Sequence, residues 1–160
     1  MDTQSRLPFF GVGPYYFAGV MALAGVFFLL GEKFPRWCLV PFPAGRNVFI
    51  GAGAVLAIFG AFLWLSALIG ARLAKNIAEN KLITTGVYAH VRNPIYSAFM
   101  FIGAGVLSAQ SNWLCLPYFG VCWLALTVMV KLTEEKWLAA RFGEVYRAYC
   151  RKVNRCIPWI

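Results

Sequence analysis

Four stretches of the chain carry no charged residue: 11–31, 47–71, 95–109 and 113–130. The first two exceed the roughly 20 apolar residues a helix needs to cross a hydrocarbon core. The third, at about 1.5 Å of rise per residue, is short for a full crossing. Only Gln110, Ser111 and Asn112 separate it from the fourth, so the pair reads as a helical hairpin within the bilayer. Beyond residue 130 the pattern changes. Leu138, Phe142, Val145, Tyr146, Tyr149 and Val153 recur at three- and four-residue steps, alongside Arg147, Arg151, Lys152 and Arg155. That period predicts an amphipathic helix lying along the headgroups or over the mouth of the bundle. The expected fold is all-α: one membrane domain over residues 1–160, with about four transmembrane helices and a C-terminal amphipathic cytoplasmic helix.

Composition agrees with this pattern, and charge adds an orientation. The chain is 61% hydrophobic and 13% charged, unlike an ordinary soluble domain. Four spans place the N-terminus, the 72–94 loop and the C-terminal tail on one side. These carry one, four and seven Lys or Arg, twelve in all, against three in the 31–46 loop and none in residues 110–112. The positive-inside rule therefore puts both termini in the cytoplasm. The net charge of +9 becomes a basic face beside anionic lipid headgroups. It does not read as a nucleic-acid footprint, because the basic residues follow membrane-adjacent segments without a binding module. The N-terminal "MDTQSRLPFF" does not resemble a cleavable signal, since it holds Asp2 and no small-residue cleavage site follows the apolar run. All Asp and Glu residues, at 2, 32, 79, 134, 135 and 144, fall outside the apolar runs. That argues against a proton-coupled carrier, which needs an ionisable group at membrane depth.

The cysteines, at 38, 115, 122, 150 and 156, form no CxxC pair and have no histidine cluster to join, so neither a metal site nor a disulfide framework is expected. Cys115 and Cys122 are seven apart and share a helix face, as packing residues do. Small residues recur every four positions along Gly53, Ala57 and Ala61, a spacing that lets helices approach closely in lipid.

Polar chemistry gathers in "NKLITTGVYAHVRNPIY" and in "KLTEEKWLAARFGEVYRAYCRKVNRCIP". The hairpin between them returns the chain to the side it left, so the two segments should be spatial neighbours. Individually, several residues have structural readings. Asn93 before Pro94 forms a well-made helix start. Tyr88 and Tyr96 suit a membrane interface, Arg92 can snorkel, His90 suits a solvated loop, and Gly86 a turn. Glu134 and Glu135 are harder to dismiss. Adjacent carboxylates at the end of a span repel and lose hydration, so they need positive partners: Arg92, Arg141 or a cationic ligand.

Together the two segments resemble the membrane-embedded methyltransferases grouped around isoprenylcysteine carboxyl methyltransferase and the phospholipid N-methyltransferases. The resemblance rests on Leu82, Thr84, Gly86, Tyr88, Arg92, Pro94 and Tyr96. After the hairpin it continues through Glu134, Glu135, Phe142, Gly143, Tyr146, Tyr149, Arg155 and Pro158. It covers roughly residues 80–158, the expected cofactor region, and the first two spans match only as apolar helices. Asn93 departs from the family's usual His and matches the Asn-Pro-x-Tyr of eukaryotic phospholipid N-methyltransferases. An amide there can hydrogen-bond but cannot shuttle a proton.

The resemblance implies S-adenosylmethionine (SAM) as cofactor, in a cytoplasm-facing pocket. Leu82, Thr85, Gly86, Val87, Tyr88 and Tyr96 would line it. Arg92 and Asn93 would receive the carboxylate of SAM, and Glu134 or Glu135 its ammonium. Arg92 and Glu135 would be the catalytic pair. The acceptor would be lipid or lipidated, a prenylcysteine-type carboxylate or a phospholipid amine, entering from the bilayer. Two other expectations stand beside this one: an NADPH-dependent reductase akin to the membrane sterol reductases, and a non-enzymatic four-helix module with a lipid-binding tail.

Overall fold

Prolines mark where the helices begin. In the computed structural model, which describes residues 12–70 and 81–158, helices α1 (Gly13–Lys33), α2 (Pro35–Cys38), α3 (Pro43–Leu65) and α4 (Pro94–Ala109) each have a proline in the first two positions. The first N–H groups of a helix lack an acceptor in any case, so proline costs nothing there. The remaining helices are α5 (Cys115–Leu132) and α6 (Glu134–Lys152). A π-helical turn, Ser66–Gly70, prolongs α3, and a 3₁₀ turn, Gly86–Ala89, precedes α4.

Among the described residues, three segments are long and apolar enough to cross a membrane: Gly13–Lys33, Pro43–Ile69 and Cys115–Leu132. The α4 helix is equally apolar but has only 16 residues. It is nevertheless the axis of the bundle. The α3 helix runs along it, α1 and α5 pack on its other sides, and Ala98, Met100 and Leu107 are fully buried.

The α3–α4 contact depends on absent side chains. A Cβ on Gly105 would lie 2.7 Å from Ala57 N, and one on Gly60 would lie 2.7 Å from Ala98 O. Ser108 Oγ donates to Phe49 O across the same contact at 2.7 Å. Where lipid supplies no hydrophobic drive between helices, such close backbone packing holds them together. Cys115 and Cys122 are both buried, as their shared face predicts.

The hairpin turn is pinned away from the α6 end. Buried Asn112 donates to Phe27 O at 2.9 Å and accepts from Leu114 N at 2.9 Å. Val40 N donates to Ser111 O at 2.9 Å, and Trp113 N to Cys38 O at 2.8 Å.

Thr133, with φ −122° and ψ −83°, breaks the chain between α5 and α6 and lets α6 turn back. Within α6, Gly143 has φ 54° and ψ −128°, a conformation open essentially to glycine alone, and the helix kinks there. The kink also corrects the predicted apolar face. Tyr146 and Val153 are buried, but Val145 is 68% exposed. A single helical period does not carry through a kink.

Candidate functional site

The loop before α4 and the segment after α6 are joined backbone to backbone. Arg92 N donates to Asn154 O at 2.9 Å and Asn93 N to Arg155 O at 3.2 Å, with a parallel bridge between Val91 and Asn154. Side chains extend the join. Tyr149 Oη donates to Tyr88 O at 2.6 Å, and Ser97 Oγ to Cys156 O at 2.5 Å. The two polar segments are thus the neighbours that the hairpin predicts. Asn93 occupies the position before α4, but its side chain does not cap the helix; Nδ2 donates to Arg155 O at 2.9 Å. Burial pushes the phenols of Tyr88 and Tyr149 up, so both remain neutral.

This join brings Arg92 to the glutamates at the start of α6. Glu135 Oε1 accepts from Arg92 Nη1 at 2.9 Å and from Arg155 Nε at 2.6 Å, while its Oε2 accepts from Arg155 Nη2 at 3.1 Å. Arg155 therefore grips the carboxylate with two nitrogens, the fork geometry in which guanidinium is strongest. This hydrogen bond holds the Arg155 guanidinium above its ordinary value. Arg92 Nη1 also contacts Cys150 Sγ at 2.6 Å. Arg141, a candidate partner by sequence, is exposed and pairs with neither glutamate. Arg155 takes that place. Although the motif includes Arg155, nothing in its spacing says that it reaches back 20 residues to Glu135.

Glu134 has a different environment. Its Oε1 accepts from Tyr96 Oη at 2.6 Å and from Val12 N, at the start of α1, at 3.0 Å. Both donors are neutral, and Glu134 makes no ion pair among the described residues. The Tyr16 ring backs the Tyr96 ring, with centroids 5.5 Å apart. Hence α1 touches the site, a contact that an uncharged span gives no means of predicting.

The other predicted residues lie on the loop leading into this cluster. Leu82, Val87 and Tyr88 are half-buried; Thr85 and Gly86 are exposed. Gly86 has φ 63°, which explains glycine at that turn. The chain thus gathers one glutamate neutralised by two arginines, one held among the described residues only by neutral donors, and a loop on which Thr85 and Gly86 are exposed.

Residues 48–145 match the family model for phospholipid methyltransferases. Curated relatives carry a narrower name. The protein-S-isoprenylcysteine O-methyltransferase of Schizosaccharomyces pombe is 33% identical over 88 residues, covering 54% of this chain and 37% of that protein. That of Xenopus laevis is 31% identical over 116 residues, covering 68% and 40%. The solved structure of the eukaryotic intramembrane Ras methyltransferase ICMT (isoprenylcysteine carboxyl methyltransferase) superposes with a TM-score of 0.65 at 27% identity, covering 92% of this chain and 53% of that one. This chain therefore spans well under half the length of those two curated relatives. The matched segment runs from within α3 to within α6 and includes Arg92, Tyr96 and both glutamates. The chain belongs to the phospholipid methyltransferase family.

Proposed function

We propose that this protein is an integral-membrane, SAM-dependent methyltransferase acting on a lipid or lipidated acceptor, with residues 80–158 forming its cofactor region. The observation that carries the reading is the meeting of Arg92 with Glu135, and of Tyr96 with Glu134, at one end of the bundle. In the membrane, α4 completes a four-span bundle within a single domain, both termini are cytoplasmic, and α6 lies on the cytoplasmic side.

The donor set suits the cofactor. SAM has an ammonium and a carboxylate, and it supplies an activated sulfonium methyl that any lone pair in line can take. Glu134, with neutral donors only, keeps an uncompensated negative charge and is the better partner for the ammonium. Glu135 is already neutralised, so its work is to fix the Arg92 guanidinium, whose positive charge then serves a carboxylate. Asn93, its Nδ2 committed to Arg155, keeps an acceptor oxygen for a neighbouring donor. Leu82, Thr85, Gly86, Val87 and Tyr88 present loop backbone and one ring to the adenosine, and Tyr96 sets the carboxylate of Glu134. With the cofactor bound, these residues would contribute chiefly by orienting it toward the acceptor and keeping water out.

A carboxylate acceptor, as the name isoprenylcysteine carboxyl methyltransferase gives for the solved relative, requires no base. A phospholipid amine would require one, and Asn93 cannot serve. Incubating the reconstituted protein with methyl-labelled SAM and a native lipid extract tests the proposal. Label should enter a lipid or prenylated product; a folded protein that labels nothing overturns it.

A further inference from the structure

A cavity of about 340 Å³ lies at the C-terminal end of α6, and Arg92, Arg151, Lys152 and Arg155 are all in its wall. Leu82 to Tyr88, Tyr96 and the two glutamates are not. The cavity therefore adjoins the proposed cofactor cradle at Arg92 and at Arg155, which holds Glu135 and accepts from Asn93, and extends away from it along Arg151 and Lys152.

Its charges do not balance. Glu135 answers Arg92 and Arg155 together, and exposed Glu144 pairs with Arg151 at 2.7 Å. Lys152 makes no ion pair among the described residues. Four cations thus meet two carboxylates, leaving a charge of +2. Arg151 and Lys152 sit in the last turn of α6, where basic residues complement the helix dipole. That explanation does not extend to Arg92, from another segment, or to Arg155, beyond the helix end. Arg92 lines the cavity although its side chain is only 9% exposed, so little water screens its charge.

We propose that this cavity binds a phosphate group, carried by an anionic lipid headgroup or free in solution. Several tetrahedrally placed acceptor oxygens can answer more than one of the cations in the cavity wall at once, and guanidinium groups match phosphate well. On the cytoplasmic side of the bundle the cavity would open at the level of the headgroups.

The test uses the full chain in phosphatidylcholine nanodiscs and the double variant Arg151→Gln/Lys152→Gln, which leaves the Glu135 network intact. Inorganic phosphate is titrated against chloride at matched ionic strength, with the thermal midpoint followed; a parallel set of discs contains phosphatidic acid. Phosphate should raise the midpoint where chloride does not, and the double variant should require about tenfold more of it. A gain from phosphatidic acid without added phosphate identifies the headgroup as the source, whereas a gain from phosphate alone identifies the free anion. Equal effects of phosphate and chloride, or an unchanged response in the variant, would overturn the site. Displacement of SAM by phosphate would also overturn it, by making the cavity the cofactor's own carboxylate subsite. The SAM affinity of the double variant, expected to equal wild type, keeps this question apart from the proposed activity.

Discussion

Glu135 is shared by two arginines, with Oε1 2.9 Å from Arg92 Nη1 and 2.6 Å from Arg155 Nε. All three side chains are largely buried: 9% exposed for Arg92, 15% for Glu135 and 22% for Arg155. Removing the carboxylate leaves two guanidiniums facing each other without compensation. Breaking such a buried network costs about 3–5 kcal/mol. Glu135→Ala should therefore lower the thermal midpoint in detergent sharply and weaken SAM binding as well. A midpoint equal to wild type would show that the network does not hold the site together.

Tyr96→Phe isolates the other glutamate. The substitution keeps the ring against Tyr16 and removes only the 2.6 Å bond to Glu134. Loss of a hydrogen bond to a charged group is worth about 1.5–3 kcal/mol, or roughly ten- to hundredfold in affinity. Calorimetric titration should show weaker SAM binding with the fold intact. Unchanged affinity would remove Glu134 from the cofactor set.

A third expectation concerns the scaffold. Gly53 faces the α4 backbone at Gly105 and Ala109, whereas a Cβ on Gly51 would meet nothing within 4 Å among the described residues. Gly53→Ala should destabilise by about 1–3 kcal/mol through overpacking, and Gly51→Ala should be silent. Thermal midpoints of the two variants, measured side by side, decide this. Similar effects would mean that α3 and α4 do not meet at this register.

Gly143 is tested by the same substitution for another reason. Its φ of 54° strains any residue with a Cβ, although an added Cβ would meet nothing within 4 Å among the described residues. Gly143→Ala should cost about 1–3 kcal/mol, from backbone strain alone. Straightening α6 instead would pull Tyr149 from Tyr88, so hydrogen exchange at the 84–92 loop should rise. Unaltered exchange and stability would show that the kink carries no load.

How far the sequence could be read follows from which forces act locally. Uncharged runs fixed the helices to within a few residues, because burial of backbone in lipid admits little else. Neighbouring of the Arg92 loop and the α6 end followed from the hairpin alone. What escaped was pairing at long range. Val12 N on Glu134, Asn93 Nδ2 on Arg155 O and the two-nitrogen grip of Arg155 on Glu135 join residues 20 or more positions apart, and no local pattern encodes them. Val145 escaped for a different reason: the glycine that kinks α6 is visible in the sequence, but the rotation it imposes on the apolar face is not.

Titration of the purified, folded chain with SAM and with NADPH tests most directly whether a cofactor is held where the Arg92 corner meets the paired glutamates. Saturable binding of SAM, weakened in Arg92→Ala and Tyr96→Phe, with no binding of NADPH, is the predicted result. Binding of NADPH in place of SAM, or of neither, would contradict it.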